Sequence, residues 1–307
     1  MDKLYIKSVD MCIEISSEMT NELTSALRST FTRRYVPSFK IADNCQSKQA
    51  EILWIRGSGF RMISAEFQGP GGIDFYVIEG DPPMAYVNES PVFFMVQVFA
   101  RSFAKAGYIV LTDSVSISID GEAVLLLGYP HTGKSTISAI AYGHGYPVLS
   151  TENTIVKPSD KGLEIVGGTR VLVFDPRIKQ LFDVKIEGVE KTKHGYEIID
   201  LDIIDGELVD PIKVSKIYVL HTSFSSHGVS LEPVKGRKIV KTLWYFATSL
   251  LKGIDYYEPM PVDMPITRDV KTSLEAFMNS AIRNYENGFF EVFGSPLEVF
   301  KKLIATH

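Results

Sequence analysis

The chain has 307 residues, of which 45% are hydrophobic and 22% charged, and a formal net charge of −5 at pH 7. These values fit a globular protein with one large or two modest domains; they exclude a disordered or fibrous chain and leave no global positive field for nucleic acid or acidic lipid. No apolar run approaches the roughly 20 residues needed to span a bilayer, and the opening MDKLYIKSVD lacks a signal-peptide core, so a cytoplasmic protein is expected. Cys12 and Cys45 have no C-x-x-C spacing and are read as small apolar side chains in a reducing compartment, neither a disulfide framework nor a zinc site.

Residues 1–88 read as a small α+β N-terminal domain. Strand-like runs (LYIKSVDMCIEI, EILWIRG, FRMISAEF, DFYVIEG) surround one helix-like stretch, MTNELTSALRSTF, with apolar spacings of three and four. Residues 89–307 read as a second, larger domain. It opens with a mostly buried helix, SPVFFMVQVFARSFAKAG, with Ser90 as N-cap and Pro91 in its first turn. Three β-rich runs follow, YIVLTD, SVSISID and EAVLLLG, and Asp120-Gly121 between the last two is a strong hairpin signal. The last of these strands runs straight into GYPHTGKS. Beyond it come a short helix (TISAIAYGHG) and a strand with a polar interruption (PVLSTENTIV), then LEIVGGTRVLVFDP and an acidic segment of strands and loops from Phe182 to Asp210. The strand KVSKIYVLH precedes VSLEPV, the helix GRKIVKTLWYFATSLLKG and a long helix over about 267–285. The end, FFEVFGSPLEVFKKLIA, places Ser295, Pro296 and Glu298 as N-cap, first helical residue and N3 acid.

GYPHTGKS matches G-x-x-x-x-G-K-[ST] at Gly128, Gly133, Lys134 and Ser135. Glycines are needed because successive backbone N–H groups must turn toward one set of phosphate oxygens, and a Cβ would crowd that approach. Lysine neutralises phosphate charge, and the serine hydroxyl ligates magnesium. The apolar strand before the motif and the helix after it supply the required context. The nucleotide-binding set is Gly128, His131, Thr132, Gly133, Lys134, Ser135 and Thr136, with His131 read as a tolerated loop side chain rather than a phosphohistidine. Three acids compete for the metal: Asp175, ending VLVFD; Glu152, past the end of the strand entered at Pro147; and Asp113, ending YIVLTD.

The segment 111–156, LTDSVSISIDGEAVLLLGYPHTGKSTISAIAYGHGYPVLSTENTIV, resembles the catalytic core of the HPr kinase/phosphorylase family. The likeness is looser over the rest of 90–307. It implies an α/β fold of the HPr kinase C-terminal domain type: a P-loop kinase core with a mixed sheet. On that resemblance the family histidine falls on Asp113, and the family's two aspartates, base and metal ligand, fall on Thr151 and Glu152. Threonine cannot serve as a base at neutral pH, so the resemblance implies a rearranged site: Glu152 on magnesium, Asp113 orienting or deprotonating the acceptor, and Lys134 on the phosphates. The family's EIRG-type signature falls near 164–170 and implies that Arg170, like Thr151, lies close to phosphates or acceptor. His221 and His227, with Thr222 and Ser223, are candidates to line the acceptor pocket.

The expected activity is transfer of the γ-phosphoryl group of ATP, with Mg²⁺, to a hydroxyl of a small molecule or of a seryl side chain in a peptide or protein. The alternative is a nucleotide-sensing binding protein that has lost catalysis. No nucleic-acid or membrane partner is expected. A homo-oligomer is compatible with the sequence, which does not set the oligomeric state.

Overall fold

The computed structural model describes residues 1–208, 210–253 and 262–307. The chain is mixed α/β and divides into two compact units, Met1–Val110 with Ala247–Ala276, and Leu111–Phe246 with Phe277–His307.

The first unit contains β1 (Asp2–Ser8), β2 (Met11–Ser17), α1 (Thr20–Leu27), α2 (Thr30–Tyr35), β3 (Phe39–Ala42), β4 (Ala50–Ile55), β5 (Phe60–Glu66), β6 (Asp74–Gly80) and α3 (Ser90–Lys105). Its sheet runs β3-β1-β2-β4-β6-β5, with β2, β4 and β6 parallel and the remaining neighbours antiparallel. The run expected as one strand, LYIKSVDMCIEI, is two strands folded back at Val9 and Asp10, where Val9 takes φ 50°. MTNELTSALRSTF is likewise split, because Ser29 is extended and its hydroxyl caps a new helix by accepting Thr32 N–H. Helix α3 is buried through Ala104, as an almost wholly apolar helix must be. The helix begins at Ser90, one residue before the place its N-cap reading implies, and Pro91 sits in the first turn. Its Arg101 is fully buried and held by Asp74 at 2.7 Å, which Lys105 also reaches at 2.9 Å.

Cys12 and Cys45 form a disulfide with Cα atoms 5.9 Å apart. This corrects their reading as reduced thiols. Their 33-residue separation carries no pairing signature; the bond forms because β2 and the loop after β3 meet there.

β7 (Ile109–Leu111) leads into the second unit, followed by β8 (Ser114–Ile119), β9 (Glu122–Leu127), α4 (Lys134–Gly143), β10 (Val148–Ser150), β11 (Thr154–Ser159) and β12 (Gly162–Gly168). Next come β13 (Val171–Phe174), α5 (Ile178–Leu181), β14 (Glu190–Lys191), β15 (Glu197–Asp200), α6 (Leu201–Ile204), β16 (Ile212–Thr222) and β17 (Val229–Pro233). α7 (Arg237–Lys252), α8 (Arg268–Tyr285), β18 (Phe289–Gly294) and α9 (Pro296–Thr306) complete the chain. Val209, in the acidic segment, lies outside the described residues.

The main sheet of this unit has the path β10-β8-β9-β16-β12-β11, with β18 beside β16 and β17 beyond β18. β9, β16 and β18 are parallel; β8 and β10 continue antiparallel from β9. The Asp120-Gly121 hairpin forms as expected, both residues having positive φ (50° and 84°), as a two-residue turn of the mirror-image type requires. Alternate residues Val115, Ile117, Val124 and Leu126 face Ile137, Ile140 and Ala141 of α4 and Val299, Phe300 and Leu303 of α9 in one core. Each of the Val, Ile, Leu and Phe side chains among them contributes about 1.5–3 kcal/mol when fully buried. Ser295 caps α9 by accepting Glu298 N–H, with Pro296 in the first turn.

Candidate phosphate-binding site

The glycine loop leaves the C-terminal end of β9, the end of a parallel strand where open sheets place ligands. Gly133 precedes α4 in the left-handed region, φ 91°, and a Cβ there would strike the Thr222 side chain. A Cβ on Gly128 would meet the Thr132 hydroxyl. A Cβ at either position is therefore crowded, at Gly128 from within the loop and at Gly133 from β16. Neighbouring β16 runs past the end of β9 to hold it: Thr222 Oγ1 donates to the Thr132 carbonyl at 2.6 Å. Thr132 Oγ1 in turn donates to the Tyr129 carbonyl at 2.8 Å. His131 is exposed, with φ 65°. Ser135 and Thr136 lie in the first turn of α4 and are half-buried. The first N–H groups of a helix have no intrahelical acceptor, and with the helix dipole they favour an anion.

Lys134 folds back over this loop. Its ammonium donates to the carbonyls of Gly128 at 2.6 Å and Tyr129 at 3.1 Å, and to Asp113 Oδ1 at 2.6 Å. Asp113 is buried with φ 50°, a left-handed conformation that aspartate tolerates better than most residues. Its own carbonyl accepts the Gly128 N–H at 3.0 Å, so the carboxylate is anchored directly across from the first glycine of the loop.

Thr151, Glu152 and Asn153 form the turn between β10 and β11, the polar interruption of PVLSTENTIV. One residue organises it. Thr169 Oγ1 accepts the N–H of Glu152 at 2.9 Å and of Asn153 at 3.0 Å, while the Glu152 carbonyl accepts Ser114 N–H at 2.9 Å. This second link ties the Glu152 turn to the residue following Asp113. The Thr151 hydroxyl is buried between the carbonyls of Thr169, at 3.0 Å, and Val171, at 2.9 Å. It braces the turn. Glu152 itself is half-buried.

Arg170 is buried, and all three guanidinium nitrogens are engaged: Nε with Asp202 at 2.7 Å, the others with the carbonyls of Val148 at 2.7 Å and Gly206 at 3.2 Å. Burial raises the Asp202 carboxyl above its usual range, and the adjacent Arg170 charge offsets this only partly. Asp175 follows β13, which belongs to a separate antiparallel sheet, β13-β15-β14, and it is clasped by the exposed Arg177 at 2.5 Å. His221 stacks on Phe293 with centroids 4.6 Å apart and contacts Glu291 at 3.3 Å. Burial pushes the Glu291 carboxyl up, but Lys238 and His221 outweigh it and hold that group below its usual range. His227 and Ser223 are exposed.

Two features escape a reading of motifs alone. Thr169 is a single threonine with no local pattern around it, whereas Thr222, a candidate for the acceptor pocket, is found bonded to the loop carbonyl of Thr132. The second feature leaves a trace: serines at a period of two in SVSIS. Ser116, Ser150, Thr154 and Ser114 form a buried line of hydroxyls at 2.6, 2.6 and 2.7 Å, ending at the Leu111 carbonyl. It binds β8, β10 and β11 beneath the site. Tyr129, in the loop, packs on Tyr245 and Phe246 with centroids 5.0 and 5.3 Å apart.

No protein-family model and no curated protein matches the chain. Among solved structures, one match is the Hpr(Ser) kinase/phosphatase from Coxiella burnetii, at 15% identity and a TM-score of 0.25, covering 41% of this chain and 72% of that one. No helix among the described residues is long and apolar enough to cross a membrane. No group of three or more His, Cys, Asp or Glu among them is placed to hold a metal ion.

Proposed function

We propose that the protein is a phosphotransferase that moves the γ-phosphoryl group of ATP to a hydroxyl, with Asp113 as base. The observation that carries this reading is the buried contact of 2.6 Å between Asp113 and the lysine of a strand–glycine loop–helix motif. One ammonium serves two anions in turn. Triphosphate in the loop draws Lys134 onto its oxygens, and Asp113 loses its counter-ion where the acceptor must approach. The acceptor oxygen then bonds to the γ-phosphorus, its proton passes to the Asp113 carboxylate, and the β–γ bridging bond breaks with its electrons on ADP. Thr151 has no part in this step, since its hydroxyl already bonds backbone carbonyls.

Ser135 and Glu152 would hold magnesium, since a hydroxyl and a carboxylate oxygen are donors of the kind that ion takes. That ion keeps several waters and takes one or two protein oxygens beside substrate phosphates rather than an all-protein cage. When bound, it neutralises phosphate charge; Thr169 fixes the turn that carries Glu152. Arg170 acts on this site indirectly, by fastening β10 through the Val148 carbonyl. The acceptor is a small hydroxylated metabolite or a seryl side chain.

Incubation with γ-labelled ATP, Mg²⁺ and separate pools of metabolites and peptides tests the reading. Label on a hydroxyl, lost in Lys134→Ala, supports it. Tight nucleotide binding without transfer or slow hydrolysis overturns it in favour of a nucleotide-sensing protein.

A further inference from the structure

The second unit carries a cleft of about 350 Å³ where β9 and β16 begin, lined by Glu122, Lys161, Lys213, Lys216, Ser215 and His307 among others. The glycine loop leaves the opposite end of β9, six residues away, which at about 3.3 Å per residue is roughly 20 Å. The cleft is therefore separate from the site described above. Its size lies at the lower end of the range for small-molecule sites, about 300–1,000 Å³.

Its charge is lopsided. Three lysines and one histidine face a single carboxylate, in a chain whose net charge is −5. Lys216 is fixed by the Thr306 carbonyl at the C-terminal end of α9, which favours a cation there. Two ammonium groups remain for another anion. Lys213 touches Glu122 only loosely, at 3.7 Å, and Lys161 has no ion-pair partner among the described residues. Lys161 sits in the tight turn between β11 and β12, and Lys213 has Glu164 opposite it on the β12–β16 ladder, a second acid near the cleft. At the back, the His307 side chain is only 6% exposed, with Nδ1 3.2 Å from Ser215 Oγ and Nε2 4.0 Å from Glu122. The imidazole thus lines the back of the cleft with its two nitrogens turned to Ser215 and Glu122.

We infer that this cleft binds a small organic phosphate monoester, held by Lys161 and Lys213 and contacted by His307. Lysine ammonium groups on a concave wall are point-charge partners for phosphate, and a cleft lined by one sign of charge concentrates such anions. The cavity exceeds what phosphate alone requires, at about 30 Å³ for each water it displaces. Glu122, at 3.7 Å, and Glu164, opposite on the ladder, are the anions that the ligand must displace from Lys213.

The phosphate loop also attracts phosphate, so the test uses Lys134→Ala protein to silence it. Glucose 6-phosphate and inorganic phosphate are titrated while the His307 ring signals are followed by NMR. Saturable shifts are expected in both wild type and Lys134→Ala, with the ester binding more tightly than inorganic phosphate. The Lys161→Ala/Lys213→Ala variant should weaken binding by at least about tenfold, the scale of losing charged hydrogen bonds, and Glu122→Gln should tighten it. Loss of the shifts in Lys134→Ala, or shifts unaffected by both lysine and Glu122 substitutions, overturns the inference without touching the kinase reading.

Discussion

Lys134 and Asp113 meet at 2.6 Å with side chains only 7% and 9% exposed, and the geometry of one hairpin brings them together. Counting outward from the Asp120-Gly121 turn, Ile119 faces Glu122 and Ser114 faces Leu127, which brings Asp113 level with Gly128. A two-residue turn allows no slippage, so the register of β8 on β9 decides which residue confronts the loop. A charge pair this deep is costly to break from one side, yet a bound phosphate can replace the carboxylate as the lysine's partner.

Gly133→Ala should cripple the loop. Alanine at φ 91° costs about 1–2 kcal/mol in backbone strain, and its Cβ meets Thr222. Affinity for a non-hydrolysable ATP analogue, measured by calorimetry, should fall by at least about tenfold. Adding Thr222→Ala should recover part of that loss by removing the collision.

Thr169→Val keeps shape and removes the acceptor of two N–H groups. Leaving these unpaired costs about 2–4 kcal/mol in urea unfolding. The magnesium concentration for half-maximal turnover should rise, because Glu152 loses its fixed backbone. Thr169→Ser should restore both. A loss of stability with unchanged magnesium dependence would limit Thr169 to a structural role.

Tyr285 tests the second unit by pH. Burial pushes its hydroxyl up to about 12, while it accepts Leu163 N–H and donates to the Val214 carbonyl, both at 2.9 Å. The unfolded phenol ionises near 10, so its contribution is complete below about pH 10 and is lost as pH rises toward 12. Burial also raises Tyr76 and Tyr218, so the alkaline fall is a sum. Denaturant titrations between pH 9 and 11 should show a shallower fall in Tyr285→Phe than in the wild type.

Much of this was legible in the sequence because periodicity and turn chemistry are local. The Asp120-Gly121 hairpin, the glycine loop between strand and helix, and the Ser295 cap form where residue patterns place them. Errors came where tertiary contacts decide. Ser29 breaks a continuous apolar pattern into two helices. Arg170 reads as a phosphate ligand beside a glycine pair, but its partners Asp202 and Gly206 come from a segment with no signal of its own. Cys12 and Cys45 are paired by sheet topology, which spacing does not encode.

The most direct test is Asp113→Asn, with ATP affinity and turnover measured on the same protein. Freed from its carboxylate, Lys134 should hold the phosphates more tightly, by roughly tenfold, while turnover falls by about 10²–10⁴, the usual contribution of a general base. Turnover within a few-fold of wild type, or ATP affinity unchanged or weaker, would contradict the assignment of Asp113 as the base released by Lys134.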